Sequence, residues 1–149
     1  MRMMYGNKDV WSRQKLRKLK CLDFLQSKYM RKLFKHKLGI IANQTDGLTT
    51  RLSSWGILKY FSFIISSWDY QIMKPDTKLF QIAVKQSGYN ASETIMVGDR
   101  LDNDIFPAKT IGMKTIWIKQ GFGAMQKPKT IEYIPDKEIA NLSELLYIL

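Results

Sequence analysis

Short, mostly apolar runs separated by polar, glycine-bearing segments set the rhythm of the chain from Leu38 onward. Leu38-Gly39-Ile40-Ile41-Ala42 is wholly apolar and stops at Asn43; Phe61 to Ser66, Thr94 to Val97 and Thr115 to Ile118 are the other runs. Continuous apolar runs of this length, without in-out alternation, predict strands buried on both faces. The intervening segments change period. Thr49 to Leu58 predicts a short helix closed near Gly56, and Leu79, Phe80, Ile82, Ala83 and Val84 line one face of a helix that Gly88 ends and Asp76 or Thr77 can cap. Asp104 to Ile111, closed by Gly112, predicts another. In the tail the pattern predicts an edge strand at Glu132 to Ile134 and a last helix from Leu142 to Leu149. Strands alternating with short helices imply an α/β fold with a parallel sheet and right-handed crossovers. In such sheets a ligand lies beyond the C-terminal strand ends.

The front of the chain reads differently. From Ser12 to Lys37 there is no Gly or Pro, and Leu16, Leu19, Leu22, Phe24, Leu25, Tyr29, Met30, Leu33 and Phe34 recur at spacings near three and four, predicting an amphipathic helix. The formal charge of +11 first suggests a polyanion partner. Its location weakens that idea, since Met1 to Leu38 hold twelve Lys and Arg against Asp9 and Asp23, leaving +1 for the rest. A solvated helix face accounts for the charge; a nucleic-acid grip, the alternative, lacks aromatic platforms or repeat spacing. No apolar run approaches the roughly 20 residues of a membrane span, and no signal-peptide pattern opens the chain, so a cytoplasmic protein with no membrane partner is expected. Its 149 residues, 45% hydrophobic, suffice for one core. Cys21 and His36 stand alone, which excludes an internal disulfide and argues against a Cys/His metal site.

The chemistry concentrates at strand ends. Gly98-Asp99-Arg100-Leu101-Asp102-Asn103-Asp104-Ile105 directly follows the third run. Carboxylates crowded there repel one another unless a cation offsets them, and hard oxygen ligands without His or Cys point to magnesium. A helix dipole explains Asp102 or Asp104 equally well, but not Asp99 on the strand side. Lys74, before Pro75 and a helix start, stands 25 residues ahead of Asp99, so both can face one crevice. A lysine there meets a carboxylate or a phosphate as a point charge. Asn43 can donate to a phosphoryl oxygen or simply start a turn.

The order Asn43 after a strand, Lys74-Pro75 before a helix, and Gly98-Asp99 followed by Asp104 resembles the second, third and fourth motifs of the haloacid dehalogenase (HAD) superfamily. The stretch from Gly112 to Gly123 resembles the segment after the fourth motif in the cap-bearing, phosphatase-like branch. The resemblance runs from about Leu38 to Gly123, with Ala42 where the second motif usually has Ser or Thr. It implies a Rossmannoid three-layer α/β fold around a parallel sheet, with residues 38–149 as the C-terminal part of the core and the basic segment 1–37 as the remnant of a helical cap. It also implies a magnesium-dependent phosphohydrolase acting through an aspartyl-phosphate on a phosphorylated small molecule. In that scheme Asp99 binds magnesium, Asp104 binds the metal's water or holds Lys74, Lys74 offsets charge at the reacting centre, and Asn43 with Lys74 contacts phosphate.

The family's attacking aspartate lies in an Asp-x-Asp pair after a first strand, and no such pair precedes Leu38 here. The resemblance therefore implies an N-terminally truncated chain, inactive alone, whose sheet lacks its central first strand between the strands ending at Asn43 and Val97. Three outcomes are open: the flanking strands pair directly, another chain donates the strand, or the fold is marginal. A non-catalytic magnesium- or phosphate-binding module and a nucleic-acid-binding protein are the competing functions. A phospho-receiver domain is disfavoured, because its acids should come early and its lysine late.

Overall fold

A computed structural model describes residues 35–149 of the chain. The predicted amphipathic helix, and with it the assignment of 1–37 to a cap remnant, lies outside these residues except for Lys35 to Lys37, which form a turn and its continuation. The elements run β1 (Gly39–Ala42), α1 (Leu48–Ser54), β2 (Phe63–Ser66), α2 (Ser67–Tyr70), α3 (Thr77–Ser87), β3 (Ile95–Gly98), α4 (Phe106–Thr110), β4 (Lys114–Ile118), β5 (Lys137–Ile139) and α5 (Leu145–Ile148). All pairings are parallel, in a two-stranded sheet β1-β2 and a three-stranded sheet β3-β4-β5. β1 and β3 do not pair with each other, so the first of the three outcomes anticipated from the sequence is not the one adopted.

Both faces of β1 to β4 are covered, which is why apolar residues dominate them, whereas β5, Lys137-Glu138-Ile139, is a largely exposed edge. On one face Ile116, Ile118 and Ile139 pack with Leu48, Leu52, Ile57 and Leu145, and Ile40, Ile64 and Val97 join them. On the other, Ile65 packs with Leu79 and Ala83 of α3, while Met96 packs with Phe80 and Ala108. Ile41 touches both of these last clusters. The strands thus form the middle of three layers, with α1 and α5 above and α3 and α4 below. Leu79 and Phe80 are wholly buried, each contributing roughly 1.5 to 3 kcal/mol relative to an exposed position.

α3 forms where Asp76 caps it, its carboxylate accepting from the Lys78 N–H at 2.9 Å, and ends at Gly88, whose φ of 78° suits only a residue without a Cβ penalty. Of the two predicted caps, Asp76 is the one used. The tail departs from expectation. Glu132 to Ile134 is not a strand: Ile131–Tyr133 is a single 3-10 turn, and the edge strand is Lys137–Ile139. The cause is Asp136, whose N–H and carboxylate both bond Thr115 and thereby fix the register of the next residues along β4. The predicted last helix is split into a 3-10 turn at Leu142–Glu144 and one α-turn, α5, and α2 had no period long enough to signal it.

Candidate active site

β1 and β3 deliver their C-terminal ends to one crevice of about 240 Å³ lined by Ile41, Lys74, Gly98, Asp99 and Asp104 among others. The segment after β1 is bound to the loop before α3. The Asn43 side-chain amide donates to the Lys74 carbonyl at 2.9 Å, and the Lys74 N–H donates back to Asn43 Oδ1 at 2.7 Å. Ser67, the first residue after β2, both accepts from the Gln44 N–H and donates to its carbonyl, holding the two strand ends together. The Lys74–Pro75 bond is cis.

Lys74 Nζ lies 2.5 Å from Asp104 Oδ1, and these side chains are 13% and 5% exposed. Asp104 Oδ2 accepts from the Arg100 N–H at 3.1 Å, so each oxygen of this buried carboxylate has a donor. Gly98 makes the arrangement possible, because a Cβ there would lie 2.3 Å from Asp104 Cβ. The Gly-Asp spacing read in the sequence is thus a packing requirement: the strand end must be bare for Asp104 to fold beneath it. Asp104 enters from one wide turn of π type at Leu101–Ile105, in which the N–H groups of Asp104 and Ile105 both donate to the Arg100 carbonyl.

Asp99 is half-buried, and its carboxylate has no hydrogen-bond or ion-pair partner shown among the described residues. Its carbonyl is held by Trp117 Nε1 at 3.1 Å, and Gly123 sits so close that a Cβ would lie 1.9 Å from it. A carboxylate with a fixed backbone and open oxygens suits a cation. The described residues contain no cluster of three or more Asp, Glu, His or Cys able to hold a metal. Magnesium does not need one, since it keeps several waters and binds through one or two carboxylates together with substrate phosphate. The donor set is therefore compatible with magnesium at Asp99, while Asp104 is ion-paired with Lys74. The Asn43 amide nitrogen keeps a second proton beyond the one given to Lys74.

Several contributors lay beyond sequence reasoning. Arg100 and Asp102 pair at 2.6 Å, and the hydrogen bond from Arg100 draws the Asp102 carboxyl down to about 2, burial opposing it. Gln126 donates to Asp102 at 2.8 Å and accepts from the Leu101 N–H at 2.7 Å, stapling the wide turn from 25 residues away. Gln126, Trp117 and Ser67 carry no local signal, because their meaning depends on which strands become neighbours.

The family model for haloacid dehalogenase-like hydrolases matches residues 14–118. A glyceraldehyde 3-phosphate phosphatase of Methanocaldococcus jannaschii is 39% identical over 116 residues, covering 75% of this chain and 48% of the relative. A phosphoserine phosphatase of Thermus thermophilus is 30% identical over 109 residues, 72% of this chain and 42% of the relative. Among solved structures, a HAD phosphatase from Thermococcus onnurineus superposes with a TM-score of 0.69 at 30% identity, over 81% of this chain and 53% of that one. A 2-haloacid dehalogenase from Pseudomonas syringae does so at 0.68 and 33%, over 83% and 50%. The chain spans about half the length of the curated relatives it matches. With strand ends, lysine, paired aspartate and open aspartate arranged as described, and the family match extending over most of its length, the chain belongs to the haloacid dehalogenase-like hydrolase family.

Proposed function

We propose that this chain carries the cation- and phosphate-facing half of a phosphomonoesterase site, completed by a carboxylate nucleophile that its own residues do not supply. The observation that carries the reading is the crevice itself, where an ion-paired lysine and an open carboxylate share the ends of β1 and β3. Lys74, steadied by Asp104, presents a positive charge to a phosphoryl oxygen; Asn43 offers its remaining amide proton to another. Asp99 would hold magnesium, which supplies charge neutralisation for the phosphoryl group when bound. Asp104 acts on Lys74 and not on the metal.

Phosphorylated small molecules, the substrates named for the phosphatase relatives, are the proposed substrate class. A complementing strand from a second chain is the proposed source of the nucleophile. The test is calorimetry of the full chain with magnesium and inorganic phosphate. Binding that requires both and falls at least about tenfold in Asp99→Asn and in Lys74→Met supports the reading. Absence of phosphate binding in the unsubstituted chain refutes it. Turnover of an aryl phosphate by the chain alone, lost in Asp99→Ala, refutes the need for an outside nucleophile.

A further inference from the structure

The turn that carries the carboxylates of the crevice is held by a distant part of the chain. It opens at Arg100, whose side chain makes no capping bond there, so the first amides of the turn need acceptors from elsewhere. Leu101 is 1% exposed and packs with Ile105 and Trp117, and its N–H is met by Gln126 Oε1 at 2.7 Å. The other atom of the same amide, Nε2, donates to Asp102 Oδ1 at 2.8 Å, beside the two bonds that Arg100 Nε and Nη2 give that carboxylate. Gln126 thus grips the backbone of one residue and the side chain of the next.

The segment that supplies Gln126 directs its buried groups at this same turn. Gly121–Met125 forms a 3-10 turn after β4, in which Phe122 is 84% and Met125 79% exposed. Its buried residue is Gly123, where a Cβ would meet the Asp99 carbonyl oxygen at 1.9 Å. Gln126 follows directly, its N–H donating to the Gly123 carbonyl at 3.1 Å. Apolar side chains that face solvent, with a glycine and an amide facing residues 99–102, are the reverse of a loop placed by hydrophobic packing. Trp117 Nε1 holds the Asp99 carbonyl, so β4 and the loop after it fix the backbone at Asp99 and again at Leu101. Between those two points lies Arg100, whose N–H and carbonyl bind the Asp104 carboxylate and N–H.

We propose that Gln126 is a positioning residue for the cation site: by fixing the wide turn at Leu101 and Asp102, it holds the Asp99 carboxylate in the pose that magnesium meets. The inference rests on the reading of Asp99 as the cation ligand. Gln126 gives its amide to Leu101 and Asp102 and so acts through the backbone. A carboxylate released from its pose must be ordered again when the cation binds, which weakens binding.

Calorimetry of the full chain with magnesium alone, paired with amide hydrogen exchange, tests this. Gln126→Met keeps the length of the side chain and removes both bonds. It should speed exchange at the Leu101 amide at least about tenfold while β4 keeps its protection. It should also raise the magnesium dissociation constant at least about fivefold, less than the roughly 10- to 100-fold lost with a group bonded to the ligand itself. For Gln126→Glu, charge and clamp predict opposite signs. On charge alone the added carboxylate draws magnesium in and tightens binding; as a clamp it repels Asp102, opens the turn and weakens binding. Asp102→Asn added to Gln126→Glu exchanges donor and acceptor at the net charge of the parent, with a carboxylate still beside Arg100. The asparagine amide can then donate to the glutamate, and affinity should return to within about threefold of the parent. Unchanged magnesium affinity in Gln126→Met, tighter binding in Gln126→Glu, or no recovery in the exchanged pair overturns the proposal, and each leaves Asp99 as the cation ligand. Failure of the unsubstituted chain to bind magnesium overturns that reading, and with it the role given to Gln126.

Discussion

Lys74→Met is the most informative single perturbation of the site. The substitution keeps an unbranched side chain of similar reach and removes the charge, leaving Asp104, 5% exposed, with the Arg100 N–H as its one remaining donor. Breaking a buried pair from one side strands the other charge and typically costs about 3 to 5 kcal/mol. Lys74 is 13% exposed and has a long stem, so water reaches the pair from the lysine side. We therefore place the loss at the low end, about 3 kcal/mol. Asp104→Asn should cost less, about 2 kcal/mol, because the liberated ammonium can swing toward solvent. The double variant leaves no stranded charge, so its loss should fall short of the sum by about 1 to 3 kcal/mol. Urea unfolding followed by circular dichroism reads this directly: with m near 1 to 3 kcal/mol/M, Lys74→Met lowers the midpoint by about 1 to 3 M. Additivity in the double variant, or a Lys74→Met loss below about 0.5 kcal/mol, would show that the pair is solvated and that Asp104 does not depend on Lys74.

Further outcomes follow from the same geometry. Gly98→Ala should destabilise by about 1 to 3 kcal/mol, because the new methyl meets Asp104 Cβ at 2.3 Å; phosphate affinity should fall with stability, and a neutral variant would refute the close packing. Asp99→Asn should leave the unfolding free energy within about 0.5 kcal/mol of the parent while abolishing any midpoint increase produced by magnesium, and an unchanged magnesium response would remove Asp99 from the cation site. The Asp102 carboxyl has its folded pKa lowered from 3.8 to about 2, so its contribution is fully present above 3.8 and is lost as pH falls through about 2. Asp102 and Arg100 are 35% and 49% exposed, so that contribution stays below about 1 kcal/mol. An Asp102→Asn chain should therefore lose its pH dependence in this window relative to the parent, and identical acid limbs would contradict the assignment. Among the described residues β1 and β3 each pair on one side only, so the chain should melt over a broad range; a sharp cooperative transition would count against unpaired inner edges.

The residues that bear chemistry were legible in the chain. Mostly apolar runs announced strands buried on both faces, and two of them end at polar residues at or near the crevice: Asn43 by way of the Lys74 backbone, Asp99 directly. Local chemistry also fixed the start and stop of α3 at Asp76 and Gly88, because capping and left-handed backbone are properties of single residues. Tertiary structure alone decided the division of labour between the two aspartates. Both were candidate magnesium ligands by type, and only the structure shows Asp104 ion-paired with Lys74 and the Asp99 carboxylate with no partner shown among the described residues. It also decided that β5 starts at Lys137 and not at Glu132, since Thr115, on a neighbouring strand, anchors Asp136. The one-sided pairing of β1 and β3 among the described residues belongs to the same class. Sequence periodicity reports whether a strand is covered above and below, through its side chains. Whether its edges are paired is a matter of backbone groups that every residue carries alike, and only the positions of β1 and β3 in space reveal it.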